Sequence, residues 1–402
     1  MAVTAAAPTL LLRYADVGVA TYGSLRVVGH RDTTVTWVLD ESAMAAARDL
    51  LTDALPDPRS AESIPESIER ALTAGSFATP TAEAHLAGVL GEALIPEPGW
   101  RLLAERAPTA GAVLFVAPTG RLAQVPWSAI AMPGDGRRLV EVIDTLFAVP
   151  PNIANAPRRP SPHRRDGAPV LVLDPRVPGQ LPDSALGSVL GRPDPGTPVA
   201  RHFAEMMRRR PVLPETGSAV ELFRRPDADR GWLAALLDRR PSRLLYVGHA
   251  TAADGANGRA DRAALHLAET QPLTAAELMA TALPMPARVA LLACASGGDY
   301  RFDEATGLVA ALVLGGAVLV TATLWSLPTT AGYRRFSRGT SESADPMADV
   351  VIGVDRAHEE ADAGRAVNAW QRGQLARWRA GDVAASPLYW AALATFAVDG
   401  AR

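Results

Sequence analysis

The feature that most constrains this chain is a set of short, almost wholly apolar runs in its second half. They fall at residues 169–173, 244–247, 289–293 and 318–322. Between them lie stretches with helical spacing at 199–209, 230–238, 275–282 and 304–314. A strand that is apolar at every position is buried on both faces, and only helices layered on each side of a sheet bury it so. The expected fold is therefore α/β, a mostly parallel sheet flanked by helices. Thr274-Ala275-Ala276-Glu277 has the spacing of a capping box, which gives the helix before the third run a definite start.

The first half reads as an accessory α+β lobe. Residues 17–27 and 33–39 are β-rich, 42–55 has helical spacing, and a Pro/Ser/Ala-rich stretch covers 56–65. Helical segments follow at 81–95 and 99–105, then an apolar strand at 112–116. The boundaries expected are 1–150 for this lobe, 151–168 for a Pro/Arg-rich linker and 169–402 for the catalytic lobe. Pro150, Pro151, Pro157, Pro160 and Pro162 exclude a regular helix or central strand from the linker. Its Arg residues fit a solvated connector better than a nucleic-acid patch.

Composition narrows the function. The net charge of −3 argues against a nucleic-acid binder driven by bulk charge. All 40 basic residues are Arg. One cysteine makes no internal disulfide and no zinc framework, so no metal is expected. Residues 1–12 are too short and weakly apolar for a secretory signal, and 308–324 read as helix, turn and strand rather than a membrane span. A cytoplasmic protein with no membrane contact is the expectation.

Two of the apolar runs end in chemically useful residues. Leu244-Leu245-Tyr246-Val247-Gly248 leads to His249, and Val289-Ala290-Leu291-Leu292-Ala293 leads to Cys294. Parallel neighbouring strands would bring both to the sheet edge where α/β proteins bind ligands. A thiol needs a nearby base to form its thiolate. The N–H groups of Cys294 and Ala250 would sit where an oxyanion hole is needed. A single Cys with a His 45 residues upstream is an order found in cysteine peptidases. Read separately, Cys294 is a small buried hydrophobe and His249 a structural strand-end residue; the pairing favours chemistry.

These motifs resemble a known family. Tyr246-Val247-Gly248-His249 and Leu291-Leu292-Ala293-Cys294-Ala295-Ser296-Gly297 are similar to the His and Cys motifs of CHAT domains, caspase-like cysteine peptidases of the clan that includes caspases and separases. Asp303-Glu304-Ala305-Thr306-Gly307-Leu308, the strand leading to Leu324-Trp325, and Ser386-Pro387-Leu388-Tyr389-Trp390-Ala391-Ala392 resemble later family motifs. Phe115-Val116-Ala117-Pro118-Thr119-Gly120-Arg121-Leu122 and Val125-Pro126-Trp127-Ser128-Ala129 resemble an upstream signature. The sequence departs from the family where Ala250, not Gly, follows His249, and where no TPR repeats are visible.

The resemblance implies a caspase-like fold, the first lobe being an accessory or degenerate caspase-like half. It implies a cysteine endopeptidase in which Cys294 attacks, His249 moves protons and backbone amides of Ala250 and Cys294 hold the oxyanion. No cofactor is required. The partners implied are a protein or peptide substrate and a separate activator or sensor, with bacterial defence or programmed death as the setting. Asp174, at the end of the first catalytic-lobe strand, is a substrate-pocket candidate that would favour Arg or Lys; its other reading is a turn signal with Pro175. Trp325 either lines the same groove or packs in the core. Asp299 is a further acidic candidate. The rival functions are a catalytically silent CHAT module that binds a partner peptide, and a cysteine amidase acting on small molecules.

Overall fold

The computed structural model describes residues 7–30, 32–59, 61–181, 184, 186–251, 260–294, 296–298, 307–337 and 344–398. Its strands are β1 (Thr9–Asp16), β2 (Thr21–Val27), β3 (Thr34–Val38), β4 (Val113–Ala117), β5 (Asp144–Ala148), β6 (Val170–Leu173), β7 (Leu244–Gly248), β8 (Ala250–Thr251), β9 (Ala264–Leu265), β10 (Leu273–Thr274), β11 (Arg288–Ala293), β12 (Leu319–Thr323) and β13 (Leu393–Ala397). Ten of them form one sheet in the order β3-β2-β1-β4-β5-β13-β12-β11-β7-β6. Most neighbours are parallel; β13 runs antiparallel to β12 and parallel to β5. A short antiparallel sheet, β10-β9-β8, follows β7.

The apolar runs account for the centre of this sheet. Every residue of β6, β7, β11, β12 and β13 is buried, as strands with helices on each side require. The strands β1 and β2 alternate instead: Leu10, Leu12, Tyr14, Leu25 and Val27 turn inward while Arg13 and Arg26 face out. The expected helices are present as Pro198–Arg209, Arg230–Asp238, Ala275–Thr281 and Leu308–Leu314. Residues 304–306 of the last expected stretch lie outside the described residues. Thr274 and Glu277 form the capping box in both directions.

Three strands of the ten-stranded sheet escape the sequence reading. The N-terminal run Thr9–Asp16 is a full strand, and Asp144–Ala148 and Leu393–Ala397 close the gap between the halves of the sheet. Asn368, in the helix Ala363–Arg379, fastens that junction: its Oδ1 accepts from Thr145 N at 2.9 Å and its Nδ2 donates to Thr145 O at 3.1 Å. The segment read as linker contains one helical turn, Pro151–Ala154, with Pro at the first position, where a missing N–H costs nothing.

Candidate active site

The strands β7 and β11 are parallel, and the register sets Ala293 opposite Gly248. The next residue on each strand is Cys294 and His249, so both emerge side by side at one sheet edge, on strands about 4.8 Å apart. Among the described residues no hydrogen bond joins the His249 ring to the thiol. The ring is instead tied down on its other side: Nε2 lies 3.0 Å from the carbonyl oxygen of Gly187. A carbonyl only accepts, so Nε2 carries the proton and Nδ1 keeps its lone pair. Burial holds the His249 pKa below the usual imidazole value, and Arg224 adds to this; the Gly187 carbonyl and the Asp174 carboxylate oppose it.

The strand-to-site turns explain the local sequence. Tyr246 precedes Gly248 by two residues on the same face of β7. Its hydroxyl lies 2.9 Å from the His249 carbonyl oxygen and 2.7 Å from that of His266. A Cβ on Gly248 would sit 2.8 Å from that hydroxyl, so glycine is what lets the tyrosine reach over. After Cys294 the chain folds back onto β12. Ser296 Oγ donates to Leu291 O at 2.7 Å and accepts from Thr323 N at 3.2 Å, while Gly297 N donates to Thr323 O at 2.9 Å. A Cβ at Gly297 would meet Ala322, Phe396 and the Thr323 carbonyl at 3.3 Å, which favours the smallest residue there.

Cys294 is partly exposed. Burial pushes its thiol pKa up, and the Asp57 carboxylate adds to the rise. The Ser326 hydroxyl and the nearby N–H groups of Cys294 itself and of Ala250 act in the other direction and favour the thiolate. Asp57 arrives from the first half of the chain, where Gln124 Nε2 donates to its Oδ2 at 2.8 Å.

Asp174 does not open onto this crevice. It is fully buried, with φ of 53°, in the left-handed region. Its carboxylate accepts from Ser188 Oγ at 2.6 Å, Val189 N at 3.1 Å and Leu190 N at 3.4 Å, and pairs with Arg224 at 3.4 Å. Arg224 also donates to Gly187 O at 3.0 Å. The segment 187–190 is therefore a strap, pinned by Asp174 and Arg224, that presents its Gly187 carbonyl to His249.

Trp325 is a core residue, which corrects its placement in the groove. It is fully buried, stacks on Phe77 with ring centroids 6.0 Å apart, and donates from Nε1 to Leu388 O at 2.9 Å. Asp299 and Asp303 lie outside the described residues. His266 is half-buried and bonds Thr251 through Nε2 at 2.6 Å.

Sequence reasoning missed Tyr246, Gly187, Ser326 and Asp57. Tyr246 carried a signal, because a tyrosine inside an apolar strand must find a partner for its hydroxyl. Ser326 follows directly on Leu324-Trp325. Gly187, 62 residues before His249, and Asp57 gave none.

An α/β sheet with a cysteine and a histidine at adjacent parallel strand ends defines a caspase-like peptidase fold. The family model of the CHAT domain matches residues 84–400, and the chain belongs to the CHAT-domain family. No curated protein matches this sequence. Among solved structures the chain is similar to separase of Saccharomyces cerevisiae in its complex with securin. One such structure, at 3.0 Å resolution, gives 10% identity and a TM-score of 0.48; another, at 2.6 Å, gives 12% and 0.41. Each match covers 97% of this chain and 30% of the separase chain, so this chain spans under a third of the separase length. No described helix is long and apolar enough to cross a membrane. Among the described residues no three His, Cys, Asp or Glu side chains cluster to hold a metal ion.

Proposed function

We propose that this chain is a cysteine endopeptidase that cleaves a protein or peptide substrate with Cys294 as nucleophile and His249 as base. The observation that carries the reading is the thiol at the end of β11 beside a histidine at the end of the parallel neighbour β7, whose Nε2 is committed to Gly187. Nδ1 is then the nitrogen free to take the thiol proton. Sγ attacks the scissile carbonyl carbon, and the amides of Cys294 and Ala250 stabilise the oxyanion that forms. The imidazolium returns its proton to the leaving amine, which leaves a thioester that water hydrolyses. His249, neutral at pH 7 because its pKa is lowered, is in the state a base requires. A separate activator or sensor chain, and a role in bacterial defence or programmed death, are drawn from the family resemblance.

A second reading is a CHAT module that binds a partner peptide in the same crevice without cutting it. The raised thiol pKa and the missing ring-to-thiol hydrogen bond favour it. One experiment separates the two. Wild type and Cys294→Ala are incubated with a peptide library and with a thiol-directed peptide electrophile. Turnover and labelling by wild type alone support the peptidase. Retained cleavage by the alanine variant removes Cys294 from the mechanism, and equal peptide binding with no cleavage by either supports the binding module.

A further inference from the structure

The sheet edge opposite Cys294 holds a second concave surface. Residues 163–168 lead into β6 and residues 239–241 into β7, and the two segments line one cavity of about 730 Å³. The five residues of β7, at about 3.3 Å each, place it about 16 Å from the His249 end. Four of the ten residues lining it are Arg, where 40 in 402 would supply about one.

The charges there are open. Arg164, Arg165, Arg239 and Arg240 are exposed. Arg239 pairs with Glu215 at 2.7 Å. Among the described residues no hydrogen bond or ion pair engages the guanidinium groups of Arg164, Arg165 and Arg240. Asp166 is the one acid in the lining. Burial lowers the pKa of His163, and Arg288, Arg165 and Arg243 lower it further, so the local field disfavours a cation.

The helix Arg230–Asp238 ends at this rim, and cations there complement its dipole. That accounts for Arg239 and Arg240 but not for Arg164 and Arg165 on the other segment.

We infer that this basin binds a compact ligand bearing several phosphate oxygens, of the size of a di- or triphosphate group. The guanidinium fork matches phosphate oxygens in pairs. Forks on two facing segments suit a ligand compact enough to be gripped from both sides. The volume falls in the range of small-molecule sites, about 300–1,000 Å³. No Phe, Tyr or Trp lines the cavity, so nothing there stacks a nucleobase and recognition rests on the anionic oxygens.

Isothermal titration with inorganic tripolyphosphate at physiological salt tests this. Wild type should bind one equivalent. The Arg165→Gln/Arg240→Gln double variant should bind about tenfold or more weakly, since it loses charge-assisted hydrogen bonds on both sides of the cavity. Both side chains are exposed, so the melting temperature of the variant should match wild type and exclude misfolding as the cause. Absence of wild-type binding, or equal affinity in the variant, overturns the proposal. Preference for a Glu-rich peptide over tripolyphosphate overturns it in favour of an acidic protein segment. The basin shares no residue with the thiol site, so Cys294→Ala should bind tripolyphosphate as wild type does, whatever the outcome for peptidase activity.

Discussion

The Nε2 of His249 lies 3.0 Å from the carbonyl oxygen of Gly187, and that contact fixes which nitrogen of the ring is left to accept a proton. The strap that carries Gly187 is itself fixed by a carboxylate, Asp174, buried beneath it. A backbone carbonyl thus holds the ring, and the strap that carries it is held in turn by the Asp174–Arg224 pair.

The first prediction concerns that pair. Asp174→Ala removes the acceptor for Ser188, Val189 and Leu190 and leaves the largely buried Arg224 without its carboxylate. A loss of about 3 kcal/mol in unfolding free energy is expected, the range for breaking a buried ion pair. Peptide cleavage should fall to a similar degree for every residue before the cut bond, because the strap orients His249. A selective loss of cleavage after Arg or Lys would instead identify Asp174 as a pocket floor that the strap uncovers when substrate binds.

The second prediction uses the contact between Tyr246 and Gly248. Gly248→Ala places a methyl 2.8 Å from the Tyr246 hydroxyl and should cost about 1–3 kcal/mol by overpacking. Tyr246→Phe removes a hydrogen bond to the buried His249 and His266 carbonyls and should cost about 1–2 kcal/mol. In the double variant the clash with the hydroxyl is gone, so the combined loss should be less than the two single losses added. Chemical denaturation of the four proteins measures this; strict additivity would show that the hydroxyl does not fill the space over Gly248.

Much of the fold was legible because the central strands are largely apolar, as in Leu244–Gly248 and in Val289–Ala293 of β11, and such runs have few alternatives. β13 was not: Leu-Ala-Thr-Phe-Ala is short and carries a threonine at its centre, and its role depends on pairing with β5, almost 250 residues away. β1 was passed over because its Leu-rich start was weighed only as a leader segment. At the site, Cys294 and His249 could be read because each ends an apolar run. The groups that tune them could not. Gly187 and Asp57 reach the edge through loops, and no local pattern marks a loop residue whose partner is distant. Trp325 shows the converse, since its position after a strand fitted either groove or core, and only its packing on Phe77 decides.

The last prediction is the pH dependence of the thiol. Burial raises the Cys294 pKa above that of a free cysteine and lowers that of His249 below the usual imidazole value. The resting pair at neutral pH is therefore thiol and neutral imidazole, not thiolate and imidazolium. Alkylation by iodoacetamide follows the thiolate fraction. Its rate should stay low from pH 5 to 7 and climb through a midpoint above that of free cysteine, because protons leave the thiol only above its raised pKa. The neighbours give two shifts of opposite sign. Asp57→Asn removes a negative charge that disfavours the thiolate, so the midpoint should move to lower pH. Ser326→Ala removes a hydroxyl that favours the thiolate, so it should move to higher pH. A rate that is already on a plateau at pH 6 would mean that an ion pair with His249 forms without substrate, and would contradict the neutral resting state.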